Sequence, residues 1–394
     1  MAYVAPVVQV SGDIITAAIW NQNVVNNMIA VKAIADGATT AAAAAVQPTR
    51  TVTGDSGVGG GGDLSTNRTL NWSNRSSDKN LILNGDFGVA QLGTSFSATG
   101  YELDQWYLTL GSGATATASQ QAFTIGQPLG SGNGEPRYFM QLAVAVAGSG
   151  ATTINQPIES VRVAAAQKVT LGFWCNCNTG SATVNVWIRQ NFGTGGSPSS
   201  SVDSSTTAFT FTGSWAYQTM TVTLADIVGK TLGSSGDDRL EVWFSFPTAN
   251  GNVTYRMADV QLELGGTGTP FARRTFHREL ELCKRYLQVY GGTAAADQAA
   301  AGFTYATTNG IYNLPLPVEM RVIPSLSLSA ASDWSVYSAT GSGIACTAIT
   351  LTGGQTSKKT ASLAVTTASG LTAGAGSCMM AANTNARLKL DARY

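Results

Sequence analysis

The sequence predicts a mainly β protein: an N-terminal helix in a coiled coil, then a β-sandwich of jelly-roll type, then a smaller C-terminal β domain. Three observations carry this. Short apolar runs with partial period two recur between residues 138 and 264, each bounded by Gly, Ser, Thr or Asn, and such alternation sends every second side chain to a buried face. Glycine supplies 44 of 394 residues, against a usual ~7%, which suits a chain rich in tight turns. Nothing between the runs has helical period, so a parallel α/β sheet is not expected.

Elements follow in chain order. From Thr16, a plausible N-cap, the residues Ala17, Trp20, Val24, Asn27, Val31, Ile34, Ala38, Ala41 and Ala45 alternate steps of three and four. This is a heptad seam. Its Ala-rich second half buries little, and an isolated helix of this kind is marginal in water, so the seam predicts partners from other copies, with Asn27 setting register. The segment 1–50 is therefore read as a trimerisation and attachment helix, through Trp20, Val24, Asn27, Val31 and Ile34. Residues 51–79 form a connector. Its four glycines, Gly59 to Gly62, lack the lysine and the strand-to-helix step of a phosphate loop.

Residues 80–275 hold the sandwich, with strands expected at 138–144, 168–174, 183–188, 215–222, 240–246 and 255–264. A second helix is expected over 276–290, where Phe276, Leu280, Cys283, Leu287 and Tyr290 make an apolar stripe, so 276–291 reads as a linker helix. Residues 292–394 return to β character, with strands expected at 302–311, 325–331, 335–337, 345–351 and 386–391.

Composition removes several function classes. Lys+Arg and Asp+Glu both number 23, and charged residues are 12% of the chain. Without a basic cluster, no nucleic-acid partner is expected. The only histidine is His277, which disfavours Ser/His/Asp triads and His-rich zinc sites. Five cysteines include the pair Cys175 and Cys177, two apart on one strand face and read as apolar core. The N-terminus lacks a basic stretch followed by an apolar run, and no segment reaches ~18 apolar residues. The expectation is synthesis in a cytoplasm without membrane insertion.

Certain strings carry a resemblance. Asn80-Leu-Ile-Leu-Asn-Gly-Asp-Phe87, Asp104-Gln-Trp106, Val169 to Trp174, Asp259-Val-Gln-Leu-Glu263, Thr269-Pro-Phe271 and Cys283-Lys-Arg-Tyr286 occur in the order found in the jelly-roll module of tailed-bacteriophage tail fibres. That module is similar to the carbohydrate-binding modules of secreted enzymes. Gly59 to Leu70 resembles a turn segment of phage fibre proteins, Ser11 to Ala18 with Asn21 the start of virion appendage proteins, and Met320 to Leu326 a strand start in fibre tips. The resemblance implies a homotrimeric virion fibre that docks on other tail or capsid proteins through its N-terminus and meets host surface polysaccharide with its β modules. A purely architectural head or tail fibre is the alternative, and a polysaccharide-degrading spike a third.

For a glycan platform, Trp106, Tyr107 and Trp187 are the candidates, because sugars stack apolar C–H faces on aromatic rings. Trp174 and Trp243 lie inside apolar runs and are assigned to the core. Trp106 ranks first for exposure, although there too the core reading is preferred. The resemblance also implies a possible structural calcium at Asp86 and Asp259, although Gly88 stands where the family pattern has a glutamate. No other cofactor is expected. Glycoside cleavage needs facing carboxylates; Glu102 with Asp104, and Asp259 with Glu263, are close enough in sequence, and both pairs read better as solvated strand faces. No catalytic residue is assigned and no enzyme activity is expected.

Overall fold

The computed structural model describes residues 17–20, 24–45, 51–52, 58–59, 62–63, 71–72, 79–127, 129, 134–292, 294–338, 341 and 343–394. The expected N-cap Thr16, the appendage-like residues 11–16 and Asn21, and the turn residues 60–61 and 64–70 lie outside them. The chain divides into two compact units, 1–75 and 76–394.

The first unit contains helices α1 (Ala17–Trp20) and α2 (Asn26–Ala45). Two strand pairs follow: β1 (Thr51–Val52) with β3 (Gly62–Asp63), and β2 (Val58–Gly59) with β4 (Asn71–Trp72). The connector thus carries short paired strands. The helix forms where its period predicted, and in the single chain its seam residues Trp20, Val31 and Ile34 are 53%, 60% and 66% exposed, with Met28 and Ile29, outside the seam, exposed as well. No second helix covers these side chains among the described residues. Val24 and Asn27 are half-buried and, with Met28, Val31, Lys32 and Ala35, line a shallow apolar groove along the helix.

In the second unit, the sandwich is built from β5 (Ser95–Phe96), β6 (Gly100–Tyr101), β7 (Tyr107–Thr109), β8 (Thr115–Ala122), β9 (Tyr138–Val146), β10 (Thr152–Glu159), β11 (Lys168–Cys177), β12 (Ser181–Asn191), β13 (Val202–Asp203), β14 (Thr207–Thr212), β15 (Ala216–Thr223), β16 (Arg239–Phe246) and β17 (Thr254–Leu264). One sheet has seven strands in the order β13-β12-β16-β10-β7-β6, with β14 also pairing β12. The other has six, β15-β11-β17-β9-β8-β5. All pairings are antiparallel, and the chain crosses repeatedly between the sheets. Val184, Val186 and Ile188 of β12 and Leu240, Val242 and Phe244 of β16 point inward. They meet Leu171, Phe173, Cys175 and Cys177 of β11, and Phe173 packs edge-on to Phe244 across the core at 5.2 Å. The two cysteines are buried and unpaired with each other.

The motif residues form the structural joints. The Asn84 carboxamide bridges the carbonyls of Val89 and Leu103 through Nδ2 and accepts from Val89 N through Oδ1. Gly85 is required because a Cβ there would lie 2.1 Å from the Val260 carbonyl oxygen. Gln261 and Glu263 hold the strap 269–272: Ala272 N donates to Gln261 Oε1 (2.8 Å) and Thr269 N to Glu263 Oε1 (2.7 Å).

The second helix is shorter than its stripe suggested. Helix α3 covers Phe276–Lys284, capped by Thr275, and β18 (Leu287–Tyr290) follows as a strand paired with β26 (Leu388–Asp391). Strand partners nearly 100 residues away, together with the β-preferring Val289 and Tyr290, override the local helical spacing. The rest of the C-terminal domain comprises β19 (Gln298–Thr304), β20 (Asn309–Pro315), β21 (Ser325–Leu328), β22 (Trp334–Ser338), β23 (Gly343–Leu351), β24 (Thr360–Thr367) and β25 (Gly376–Ala381). Strands β19-β20-β24-β23-β22-β25 close a barrel, and β18-β26-β21 form a small sheet. The single strand expected at 302–311 is instead the end of β19, a turn at 305–308 and the start of β20.

This domain docks on the sandwich through Arg285, which makes a double hydrogen bond to the Glu159 carboxylate (2.6 and 2.7 Å), joined by the Tyr286 hydroxyl. Those donors, led by Arg285, hold the Glu159 carboxyl below its ordinary range. Arg321 donates to the carbonyls of Ala392 and Arg393 and lies over the Tyr394 ring.

Candidate functional site

Strand register assembles one row of side chains across the outer face of the seven-stranded sheet. Tyr101 pairs with Tyr107, Tyr107 with Asn155, Asn155 with Trp243, and Trp243 with Trp187. These residues alternate with inward-facing neighbours, so all five share the outer face. Four interstrand spacings of ~4.8 Å make the row about 19 Å long. Trp187 and Trp243 stack at 5.6 Å with planes 8° apart, and Tyr101 meets Tyr107 edge-on at 4.9 Å.

The row has two different rims. On one side Trp243 Nε1 donates to Glu241 Oε2 (2.8 Å), Arg239 Nε donates to Glu241 Oε1 (2.6 Å), and Arg189 makes a double bond to Asp203 (2.7 and 2.9 Å). The Arg189 guanidinium also sits 5.2 Å from the Trp243 ring centroid. On the other side the cross-strand pairs Thr109–Thr153, Thr153–Ser245 and Ser245–Asn185 present hydroxyls and an amide. The Tyr101 end is closed by the C-terminal residues: Arg393 lies 4.3 Å over its ring, and its hydroxyl donates to the Tyr394 carbonyl. Burial pushes the Tyr101 hydroxyl up to about 12.

Between Tyr107 and Trp243 stands Asn155, 7% exposed. Its Oδ1, like Trp187 Nε1, is buried without a hydrogen-bond partner. Native structures pair nearly all such atoms, and leaving one unpaired costs about 1–3 kcal/mol. An unpaired acceptor and an unpaired donor in one aromatic row suit a flat, apolar-faced ligand that carries hydroxyl groups.

Of the residues expected from sequence, Tyr107 and Trp187 are brought into this row. Trp106 is not: it is 0% exposed, packs on Phe87 at 5.2 Å and donates from Nε1 to the Asn84 carbonyl (3.1 Å). Its preferred core reading stands, and its place as a glycan candidate is corrected. Trp174 and Trp243, expected in the core, are both on outer faces and half-buried. The signal was present, since Val169-Leu171-Phe173 and Leu240-Val242-Phe244 set the inner parity and leave Trp174 and Trp243 outward. Asn155 gave no sequence signal of its own, because its strand Thr152–Glu159 carries Gln156 and Pro157 and was missed.

The carboxylate pairs are buried, where solvated strand faces were expected. Glu102 is 0% exposed, and burial pushes its carboxyl up to about 8. Asp104 accepts from Gln91 N (2.7 Å) and Gln91 Nε2 (2.6 Å). Glu263 is engaged by Thr269, and Asp259 by Arg273. Neither pair flanks an open cleft.

A calcium at Asp86 and Asp259 does not fit. Arg273 Nη2 lies 2.6 Å from Asp259 Oδ2 and supplies the positive charge there. Asp86 Oδ1 accepts from Gly88 N (3.1 Å). Among the described residues no group of three His, Cys, Asp or Glu side chains could hold a metal ion.

No protein-family model matches the chain. No curated protein matches it either. Among solved structures it is similar to a CBM4 structure (18% identity, TM-score 0.32, covering 47% of this chain and 99% of that one). It is also similar to the family 11 carbohydrate-binding module from Clostridium thermocellum in complex with a β-1,3-1,4-mixed-linked tetrasaccharide (11% identity, TM-score 0.28, covering 44% and 97%). A third is the enzymatically active domain of tailspike protein 4 of bacteriophage CBA120 (16% identity, TM-score 0.32), where the match covers 48% of this chain and 22% of that one.

Proposed function

We propose that this chain is a glycan-binding virion fibre protein that holds a host surface polysaccharide on the outer face of its seven-stranded sheet without cleaving it. The observation that carries the reading is the row Tyr107–Asn155–Trp243–Trp187 with its unpartnered Asn155 Oδ1. Rings on neighbouring strands repeat at a spacing comparable to successive pyranose rings, and the neutral rim of Thr109, Thr153, Ser245 and Asn185 offers hydroxyl and amide partners. The motif order from Asn80 to Tyr286 supports the virion assignment, and the exposed apolar side chains of α2 support assembly as a homotrimer docked on other virion proteins. Binding at one such face is weak, and three copies on a fibre raise avidity without new contacts.

The experiment is native-gel retardation of the full chain in soluble polysaccharides of differing linkage, namely mixed-linkage β-glucan, galactan, xylan and mannan, with a reducing-end assay on the same samples. Retardation by at least one polymer, without new reducing ends, is expected. Release of oligosaccharides would replace the adhesive reading with a degrading spike, and no retardation in any polymer would leave the architectural fibre.

A further inference from the structure

The other sheet carries a comparable row. Trp174 pairs with Tyr217 on one side and Ala258 on the other, and Phe139 lies one step beyond the Met257–Met140 pair. These four residues cross β15, β11, β17 and β9 on the outer face of the six-stranded sheet. Tyr217 is 41% exposed, the most exposed aromatic ring of the sandwich among the described residues, and packs on Trp174 at 5.4 Å. Its hydroxyl lies across Gly172, where a Cβ would come within 2.2 Å of it, so glycine is what lets the ring lie down over the strand.

Polar groups converge on the same place. A β-bulge opposite Gly172–Trp174 puts Asp259 beside Ala258 with φ 50°. The Asp259 carboxylate, 1% exposed, follows directly on Ala258, the cross-strand partner of Trp174. Its Oδ2 is bound by Arg273 Nη2, while Asp259 Oδ1 and Arg273 Nε, an acceptor and a donor on one ion pair, have no partner. Trp174 Nε1 is also unpartnered.

We propose that this face is a second saccharide seat, in which a pyranose stacks on Tyr217 and Trp174 while neighbouring hydroxyls bond to Asp259 Oδ1 and Arg273 Nε. An aromatic face beside an unpaired acceptor and donor matches a vicinal diol: one hydroxyl donates to the carboxylate and the next accepts from the guanidinium. Beside Thr170, Thr219 and Thr221 stands the Glu263 carboxylate, the cross-strand partner of Thr170, and its negative charge favours a neutral sugar over an anionic one. Arg273 keeps 28% of its side chain exposed beside the buried Asp259. The inference shares its ligand class with the proposed function but uses residues of the opposite sheet.

The test uses the full chain in the same four polysaccharides. Three variants are compared with the parent: Trp187→Ala with Trp243→Ala, Tyr217→Ala alone, and all three together. Tyr217 is exposed enough that its truncation leaves the fold intact, and a melting curve on each variant checks this. Tyr217→Ala is expected to weaken retardation by at least one polymer about three- to tenfold, and the double tryptophan variant to keep a residual retardation that the triple variant loses. If the double variant abolishes retardation while Tyr217→Ala has no effect, the second seat is wrong and the first stands. If only Tyr217→Ala matters, the second seat stands and the first is wrong. If the parent is not retarded, both fall.

Discussion

Trp187 and Trp243 stand face to face on adjacent strands, ring centroids 5.6 Å apart and planes 8° from parallel. The register that aligns them also aligns Asn155 and Tyr107, and Glu241 anchors Trp243 through its indole N–H. The pair is thus a prebuilt surface whose side-chain entropy is already spent before a ligand arrives.

Trp187→Ala should remove one ring of that pair and weaken retardation by the bound polysaccharide about tenfold, a change of about 1.4 kcal/mol. Stability should change little, because Trp187 is only half-buried. Unaltered retardation would show that the row does not carry binding.

Asn155→Leu separates binding from folding. Replacing the unpaired carboxamide with an apolar group of similar size should raise stability by about 1 kcal/mol, since no buried acceptor is left unsatisfied. The same change should weaken glycan retention. Paired melting curves and affinity gels read both, and a loss of stability would mean that Asn155 has a structural partner in solution.

Trp106→Ala tests the opposite assignment. Deleting a fully buried ring and its hydrogen bond to Asn84 should cost about 3–5 kcal/mol in denaturant unfolding, while the molecules that remain folded bind glycan as the parent does. A selective binding defect would contradict its place in the core.

Stability should decline as pH rises between about 4.5 and about 8. Folded Glu102 keeps its proton up to about 8, whereas the unfolded chain releases it near 4.5. The native state therefore holds more protons across this window, which makes the slope negative, up to about 1.4 kcal/mol per pH unit. Glu102→Gln should flatten the decline and be the more stable form at pH 8. Equal slopes in urea titrations of parent and variant would show that Glu102 does not carry the linkage.

Native mass spectrometry should find three times 40.7 kDa for the full chain. Val31→Asp with Ile34→Asp, which charges the exposed apolar face of α2, should give the single-chain mass with the β spectrum unchanged. A folded monomer in the parent would remove the trimer from the proposed fibre.

Much of the fold was readable from period two. Strands at 138–146, 168–177, 181–191, 216–223, 239–246 and 254–264 all have apolar residues of one parity, and Cys175 with Cys177 follows that parity inward. Strands without the pattern were lost. Thr115–Ala122 is too polar and Ala-rich, and Thr152–Glu159 carries amides and a proline, although the latter runs through the middle of the candidate row. The apolar spacing predicts α3 too long because Leu287 and Tyr290 continue it, while their strand partners lie at 388–391.

Composition and alternation were enough to establish the β class, to disfavour histidine triads and His-rich zinc sites and to place an N-terminal helix, because these depend on local residue choice. Which tryptophan is buried depended on the folded sheets. Trp106 follows a turn whose course is set by Asn84, and Tyr107, Asn155, Trp243 and Trp187 become neighbours only when strands up to about 90 residues apart pair in one register. Hydrogen bonding between distant backbones makes that alignment, and no short window of the chain contains it.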